Sequence, residues 1–368
     1  MSATLTQKIH SETVPQVVLI STYDLGHQPF GLASPAAWLS AAGVTVRCFD
    51  LAVEQLDEDT VRAARMVAVY VPMHTATRMA AQVIPHVRKL NPDAHVAAYG
   101  LYAPMNRDFL SSIGADSVIG GEFEEPLREL AEQVALRRED ITGRNVVSLG
   151  RQLFMVPDRT QLPSLTRYAG LRMPDGARRT AGYTEASRGC KHLCRHCPIV
   201  PVYGGRFRVV QRDVVLADIA QQIAVGAEHI TFGDPDFFNG PAHALAVVRQ
   251  LHDMFPELSY DVTIKIEHLV KYGRYLPILR DTGCVLITSA VEAFDQRILE
   301  ILDKRHTLED FGEAIRELRK AGIAINPTFV AFTPWTSLKV YIEVLATIHH
   351  YGLVGNVAPV QYAIRLLL

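Results

Sequence analysis

The chain has 368 residues, 48% of them hydrophobic and 21% charged, with a formal net charge of −2. That length exceeds one ordinary hydrophobic core and predicts two domains, and the composition excludes intrinsic disorder. The near-neutral balance offers no basic field for nucleic acid.

The N-terminal segment MSATLTQKIHSETVPQ lacks the basic-then-apolar layout of a secretory leader. No apolar run reaches the roughly twenty residues of a membrane span. From Pro15 onward short apolar runs alternate with helical patterns. VVLIST (17–22) predicts a buried strand, and SPAAWLSAAG (34–43) a helix with a Ser34 cap, early proline and terminal glycine. The unit repeats through VTVRCFDL, EDTVRAARM, VAVYVPM, a helix over 79–90, HVAAYG and DSVIGGEFEEPLRELAEQVA. Such alternation means βαβ units and a doubly wound parallel sheet over residues 1–136.

Residues 137–181 lose the period and read as a linker. A second βα series fills residues 182–368. Its strands are YTEAS, HITFGDPDFF, LSYDVTIKIE, CVLITSAVEA, IAINPTFVAFTP and VAPVQYAIRLLL, with five intervening helices. Six strands fall short of a closed eight-fold barrel, so the prediction is a partial (β/α)6 barrel with chemistry at the strand C-termini. The final RLLL is an unusual terminus and suggests that native chain continues past Leu368.

The first strand of this series runs into SRGCKHLCRHCPIV, which holds Cys190, Cys194 and Cys197. Three of the five cysteines in one loop predict metal binding in a reducing cytoplasm rather than disulfides. Thiolates suit zinc, copper(I) or iron–sulfur. A structural zinc site wants four protein ligands, which here would require His192 or His196 in a cramped loop. A cluster held by three thiolates leaves one iron open. Cys48 and Cys284 lie in strands and read as core residues, as do Trp38 and Trp335. His74 and His306 fall near strand-end loops.

The Cys190-x3-Cys194-x2-Cys197 spacing, placed after the first strand of a βα barrel, resembles the radical S-adenosylmethionine (SAM) signature. The residue before the last cysteine is usually aromatic in that family; here it is His196. The resemblance implies a [4Fe-4S] cluster on the three cysteines, with SAM on the open iron. FGDPDFF takes the place of the family's motif for the SAM amino group, so Gly233, Asp234 and Asp236 become candidates. ITSAVEAFDQRILEILDKRHT resembles the G-x-E-S strand, with Ala290 and Ala293 as departures, which places Ser289 and Glu292 near the SAM ribose or methionine. Lys265 and Glu267, two residues apart at the end of the third strand, share a face and are expected to line the cavity.

A doubly wound domain ahead of such a barrel resembles a cobalamin-binding Rossmann fold. The first loop, YDLGHQPFG, lacks the usual Asp-x-His-x-x-Gly motif, which argues against bound cobalamin. The nearer likeness is to radical SAM proteins with a cysteine or selenocysteine C-terminal tail, whose arsinothricin-forming branch moves the 3-amino-3-carboxypropyl group of SAM onto trivalent arsenic. The alternatives are a 5′-deoxyadenosyl-radical enzyme, with cobalamin-dependent methyl or thiomethyl transfer to a small molecule or RNA, and a non-catalytic zinc-binding protein. The enzyme readings imply a small-molecule substrate and a flavodoxin or ferredoxin as electron donor, with no membrane partner and with nucleic acid disfavoured by the charge balance.

Overall fold

Five apolar pentapeptides build the first sheet: β1 (Val17–Ser21), β2 (Val46–Asp50), β3 (Met66–Tyr70), β4 (His95–Tyr99) and β5 (Ser117–Gly121). The structure, a computed structural model, describes residues 16–136 and 145–363. Between the strands lie α1 (Phe30–Ala41), α2 (Glu58–Ala63), α3 (His74–Leu90) and α4 (Arg107–Ser112), with α5 (Glu124–Ala135) after β5. Strand alternation sends Leu19, Met66 and Ala68 to one face, where Leu32, Leu39, Leu127 and Leu130 cover them. Val18, Ile20, Val67 and Val69 go to the other, against Ile84 and Val87. Burial on both faces is what a parallel sheet requires.

The sheet is entirely parallel in the order β2-β1-β3-β4-β5-β6, because β6 (Asn145–Ser148) pairs with β5. The expected linker therefore contributes an edge strand; residues 137–144 of it lie outside the described residues. Helix α1 also starts earlier than expected. Ser34 is not its cap but an interior residue whose hydroxyl donates to Glu124 Oε1 at 2.7 Å. Pro35 inside this helix has no N–H to offer Gly31 O, and the Tyr99 hydroxyl donates to that carbonyl instead, at 2.7 Å.

Contacts divide the described chain into two units. The loop Asp24–Phe30 and the segment Leu149–Pro157 belong to the second unit, and Asp158–Leu162 to the first. In the second unit a two-stranded hairpin, β7 (Leu171–Arg172) and β8 (Arg178–Arg179), precedes β9 (Ala181–Thr184). The cysteine loop leaves β10 (Ser187–Gly189), continues through α6 (Ile199–Tyr203) and returns as β11 (Phe207–Val209), antiparallel to β10. Then follow α7 (Arg212–Ala224), β12 (His229–Phe232), α8 (Pro241–Met254), β13 (Ser259–Thr263), α9 (Ile266–Lys271) and α10 (Leu276–Asp281). The series continues with β14 (Cys284–Glu292), α11 (Gln296–Ile301), α12 (Leu308–Ala321), β15 (Ala324–Phe329) and α13 (Leu338–His350). Strand order is β15-β14-β13-β12-β9, all parallel.

The partial barrel is thus present, with five parallel strands among the described residues. The segment expected as a sixth strand instead forms α14 (Val360–Ala363); residues 364–368 lie outside the described residues. Pro359 precedes this helix, a position where its missing N–H costs little. The free edge of β15 is met by a side chain: Phe329 N–H donates to Gln361 Oε1 at 3.1 Å. Ile230, Phe232, Tyr260 and Val262 point outward into the apolar core with Leu216, Ile219, Val248, Phe311 and Ile315. No described helix is long and apolar enough to cross a membrane.

Gly189 holds φ +70°, and a Cβ there would lie 2.3 Å from Arg206 O. Gly189→Ala is therefore expected to destabilise the fold by about 1–3 kcal/mol, read as a lower denaturation midpoint at unchanged slope. Burial pushes the Cys48 thiol up to about 12 and Cys284 higher still. Both should resist alkylation in native protein at pH 8 and react once it is unfolded; rapid native labelling of either, read by mass spectrometry, would contradict their core placement.

Candidate active site at the barrel rim

The cysteine loop is fastened from below. Ala186 N–H donates to Asp234 Oδ2 at 2.9 Å, and the Ser187 hydroxyl donates to Asp234 Oδ1. Asp234, expected to face the SAM amino group, instead has both carboxylate oxygens on the strand that delivers the cysteines. Burial drives its pKa up to about 7 against these donors. Gly233 packs under Tyr183, where an added Cβ would fall 1.8 Å from the hydroxyl oxygen. Its role is close packing, which only glycine allows.

Cys190 and Cys194 are buried and Cys197 half-buried, all three as free thiols. The Cys197 thiol is pushed up to about 11, by burial first and then by the charges of Cys194 and Cys190. The three sulfurs therefore sense one another. A metal that takes them as thiolates removes that penalty, so this donor set fits an iron–sulfur cluster. Asn239, after β12, donates from Nδ2 to Cys190 Sγ at 3.5 Å and accepts from Lys191 N–H at 3.2 Å.

Around the loop the expected residues separate into two groups. Asp236 has a fully buried side chain, with His268 Nδ1 2.7 Å and His192 Nε2 3.4 Å from its Oδ2. Burial would raise its pKa, yet those two imidazoles bring it down to about 2. Lys265 and Glu267 do meet, at 3.4 Å, though not as neighbours on a strand face. Strand β13 ends at Thr263, Lys265 caps α9, and Glu267 sits in its first turn.

The second group centres on Glu292, whose backbone adopts φ +71° beside the irregular register of β14 and β15. Such a conformation costs a non-glycine residue roughly 1 kcal/mol or more, and it aims the carboxylate. Glu292 Oε1 lies 3.1 Å from His196 Nε2 and 3.5 Å from Lys304 Nζ. Ser289 is fully buried with no partner for its hydroxyl, and neither ring nitrogen of buried His306 has one. Burial, followed by Lys304 and Lys265, lowers the His306 pKa to about 4, so the ring is neutral at pH 7. Orphaned buried polar atoms fit a site for a polar ligand such as SAM.

Inside the barrel, Ala181, Tyr183, His229, Thr231, Thr263, Thr288 and Asn326 help line a cavity of about 470 Å³. Asp261 ties its floor, 2.7 Å from His229 Nε2 and accepting from the Thr231 hydroxyl at 2.6 Å. The His27 ring lies tilted against Tyr183, with centroids 4.8 Å apart and planes 30° apart. Sequence reasoning missed this lining, together with His268, Asn239 and Lys304, and weighed His192 only as a fourth zinc ligand. Polar residues at alternate strand positions, as in His229-Ile-Thr231 and Asp261-Val-Thr263, were the available signal.

Comparison with known proteins agrees with the layout. Residues 184–336 match the radical SAM superfamily, and residues 16–131 match the B12 binding domain. An uncharacterized methyltransferase of Pyrococcus horikoshii is 22% identical over 234 residues, covering 60% of this chain and 49% of its own length. The bacteriochlorophyllide d C-12(1)-methyltransferase of Chlorobaculum tepidum is 24% identical over 229 residues, covering 60% and 47%. The chain thus spans about half the length of these relatives. The radical SAM methyltransferase TsrM of Kitasatospora setae, solved with cobalamin and a [4Fe-4S] cluster, superposes with a TM-score of 0.70. That likeness has 17% identity, covers 92% of this chain and 70% of TsrM, and concerns the fold. The chain thus carries a radical SAM domain in its partial barrel, preceded in sequence by a B12-binding-type Rossmann domain.

Proposed function

We propose that the chain is a radical SAM methyltransferase acting on a small molecule, with a [4Fe-4S] cluster and cobalamin as cofactors and a flavodoxin or ferredoxin as electron source. The observation that carries this reading is the gathering of three thiols at a rim that also holds the orphaned polar atoms of Ser289 and His306. Cys190, Cys194 and Cys197 would hold the cluster. Ser289, His306, Glu292 and Lys304 would receive the polar groups of SAM. The inner cavity has the volume of a small-molecule site, and its Thr and Asn lining suits a polar substrate.

When bound, the cluster supplies an electron to SAM chemistry and the corrin supplies a methyl carrier. For cobalamin, the first unit offers the Ser21 hydroxyl, fully buried at the C-terminal end of β1 without a partner. It also offers the side-chain-free Gly120–Gly121 end of β5. Both features stand at C-terminal strand ends of one sheet, with β3 and β4 between them; an orphaned hydroxyl on that edge fits a polar cofactor, so the missing Asp-x-His-x-x-Gly motif bears on how cobalamin is ligated rather than on whether it binds. The methyltransferase names of the curated relatives and the cobalamin of TsrM support the same reading. Transfer of the aminocarboxypropyl group to arsenic, expected from the sequence, draws no support from these proteins.

Protein purified without air should be brown, and Cys194→Ala should lose both the iron and SAM turnover. A colourless protein holding one zinc would overturn the reading in favour of a binding protein. With substrate present, S-adenosylhomocysteine should accumulate; methylthioadenosine as the main product, appearing only with arsenite, would instead establish aminocarboxypropyl transfer. Ser289→Ala should weaken SAM binding about five- to tenfold, the worth of one hydrogen bond. Its unfolding midpoint should stay unchanged, and equal affinity by calorimetry would remove Ser289 from the site.

A further inference from the structure

The three side chains His192, Asp236 and His268 offer ligand atoms that all lie within 4.8 Å of one another, and none of the three is a cysteine of the cluster loop. They come from separate elements: the cysteine loop, the turn after β12 and helix α9. Asp236 is divided in its duties. Oδ1 accepts from Phe238 N–H at 3.3 Å and from Lys265 N–H at 3.5 Å. Oδ2 has no hydrogen-bond partner, and neither His192 Nε2 nor His268 Nδ1 has one either. All three atoms are buried. The His268 nitrogen nevertheless comes within 2.7 Å of Oδ2 and the His192 nitrogen within 3.4 Å. Two imidazole nitrogens and a carboxylate oxygen gathered this closely, each without an aligned hydrogen bond, form a donor set that one cation could share.

We propose that His192, Asp236 and His268 form a binding site for a divalent transition-metal ion, separate from the three-thiol site. Two ligands that each stand about 2.0–2.1 Å from a tetrahedral metal are roughly 3.3 Å apart, which is the spacing seen at His192 and within a small adjustment at His268. Two imidazoles and a carboxylate suit Zn²⁺, Fe²⁺ or Co²⁺ and leave open positions. The far nitrogen of His192, Nδ1, lies 3.6 Å from Glu267 Oε2, at ion-pair range and on the side where a carboxylate would orient a ligating imidazole. Asp236 is oriented in the same way by the backbone donors on Oδ1. Because His192 lies between Cys190 and Cys194, an ion here ties the cysteine loop to the ends of β12 and β13. The site stands on its own residues and does not depend on the methyltransferase reading.

The test removes the thiols. A Cys190→Ser/Cys194→Ser/Cys197→Ser protein, stripped with chelator, is titrated with Co²⁺ and followed by visible d–d absorption and by its melting temperature. One equivalent should bind with the intense absorption of low-coordinate cobalt, and the melting temperature should rise. Adding His268→Ala or His192→Gln should weaken binding at least about tenfold, and Glu267→Gln should weaken it less. Absence of cobalt binding, or several weak equivalents indifferent to these substitutions, overturns the proposal. Should the triple variant not fold, cluster-loaded wild-type protein and its His192→Gln variant answer the same question by metal analysis. One non-iron divalent ion, or one iron beyond the cluster, must then be present in the first and missing in the second.

Discussion

The tie between Asp234 and the start of the cysteine loop is the constraint on which the rim depends. A carboxylate buried this deeply is costly to ionise, and burial raises its pKa to about 7. The structure accepts that cost because Asp234 reaches both Ala186 N–H and the Ser187 hydroxyl, fixing where β10 begins. Gly189 then takes a left-handed conformation that brings the chain round to Cys190, and Asn239 secures Cys190 from the same turn that carries Asp234. Loop and strand end are locked to each other, so three thiols can be held close in a segment with little regular structure of its own.

Much of this was legible because periodicity carries fold class. Alternating apolar strands and helices predicted both parallel sheets, and the spacing of Cys190, Cys194 and Cys197 pointed to the radical SAM domain that residues 184–336 match. What was not legible concerns partners distant in sequence. Ser34 has the residue type of a helix cap, but its hydroxyl is claimed by Glu124, ninety positions away in the chain. Pro35 looked like a helix start, and it sits within the helix because Tyr99 supplies the donor that Pro35 lacks. Val360–Ala363 carries an apolar strand-like pattern, yet the side chains of Gln361 and Asn356 meet Phe329 N–H and Ile325 O on the edge that a sixth strand would have covered.

The same reasoning explains the uneven outcome for the site residues. Asp234 and Asp236 are indistinguishable in the Asp-Pro-Asp sequence, and only three-dimensional surroundings give them different work. Asp234 meets a backbone N–H and a hydroxyl and becomes a fastening. Asp236 meets two imidazoles and becomes part of a ligand cluster. Lys265 and Glu267 are in contact for a reason other than strand alternation, since a helix begins at Ile266 and its first turn brings them together.

Two groups of metal-binding atoms so near each other raise the question of how each keeps its own occupant, and donor softness answers it. Three thiolates favour soft and iron–sulfur chemistry, whereas two imidazoles with a carboxylate favour borderline divalent ions. The two sets interleave in sequence, with His192 between Cys190 and Cys194, yet its ring points to Asp236 and Glu267 rather than serving as a fourth ligand beside the thiols. His196, the other histidine of the loop, is held toward Glu292. Both imidazoles that could have completed a zinc clip are thus directed to carboxylates on other elements. That leaves the cysteines as a set of three, and a set of three is what a cluster with one open iron requires.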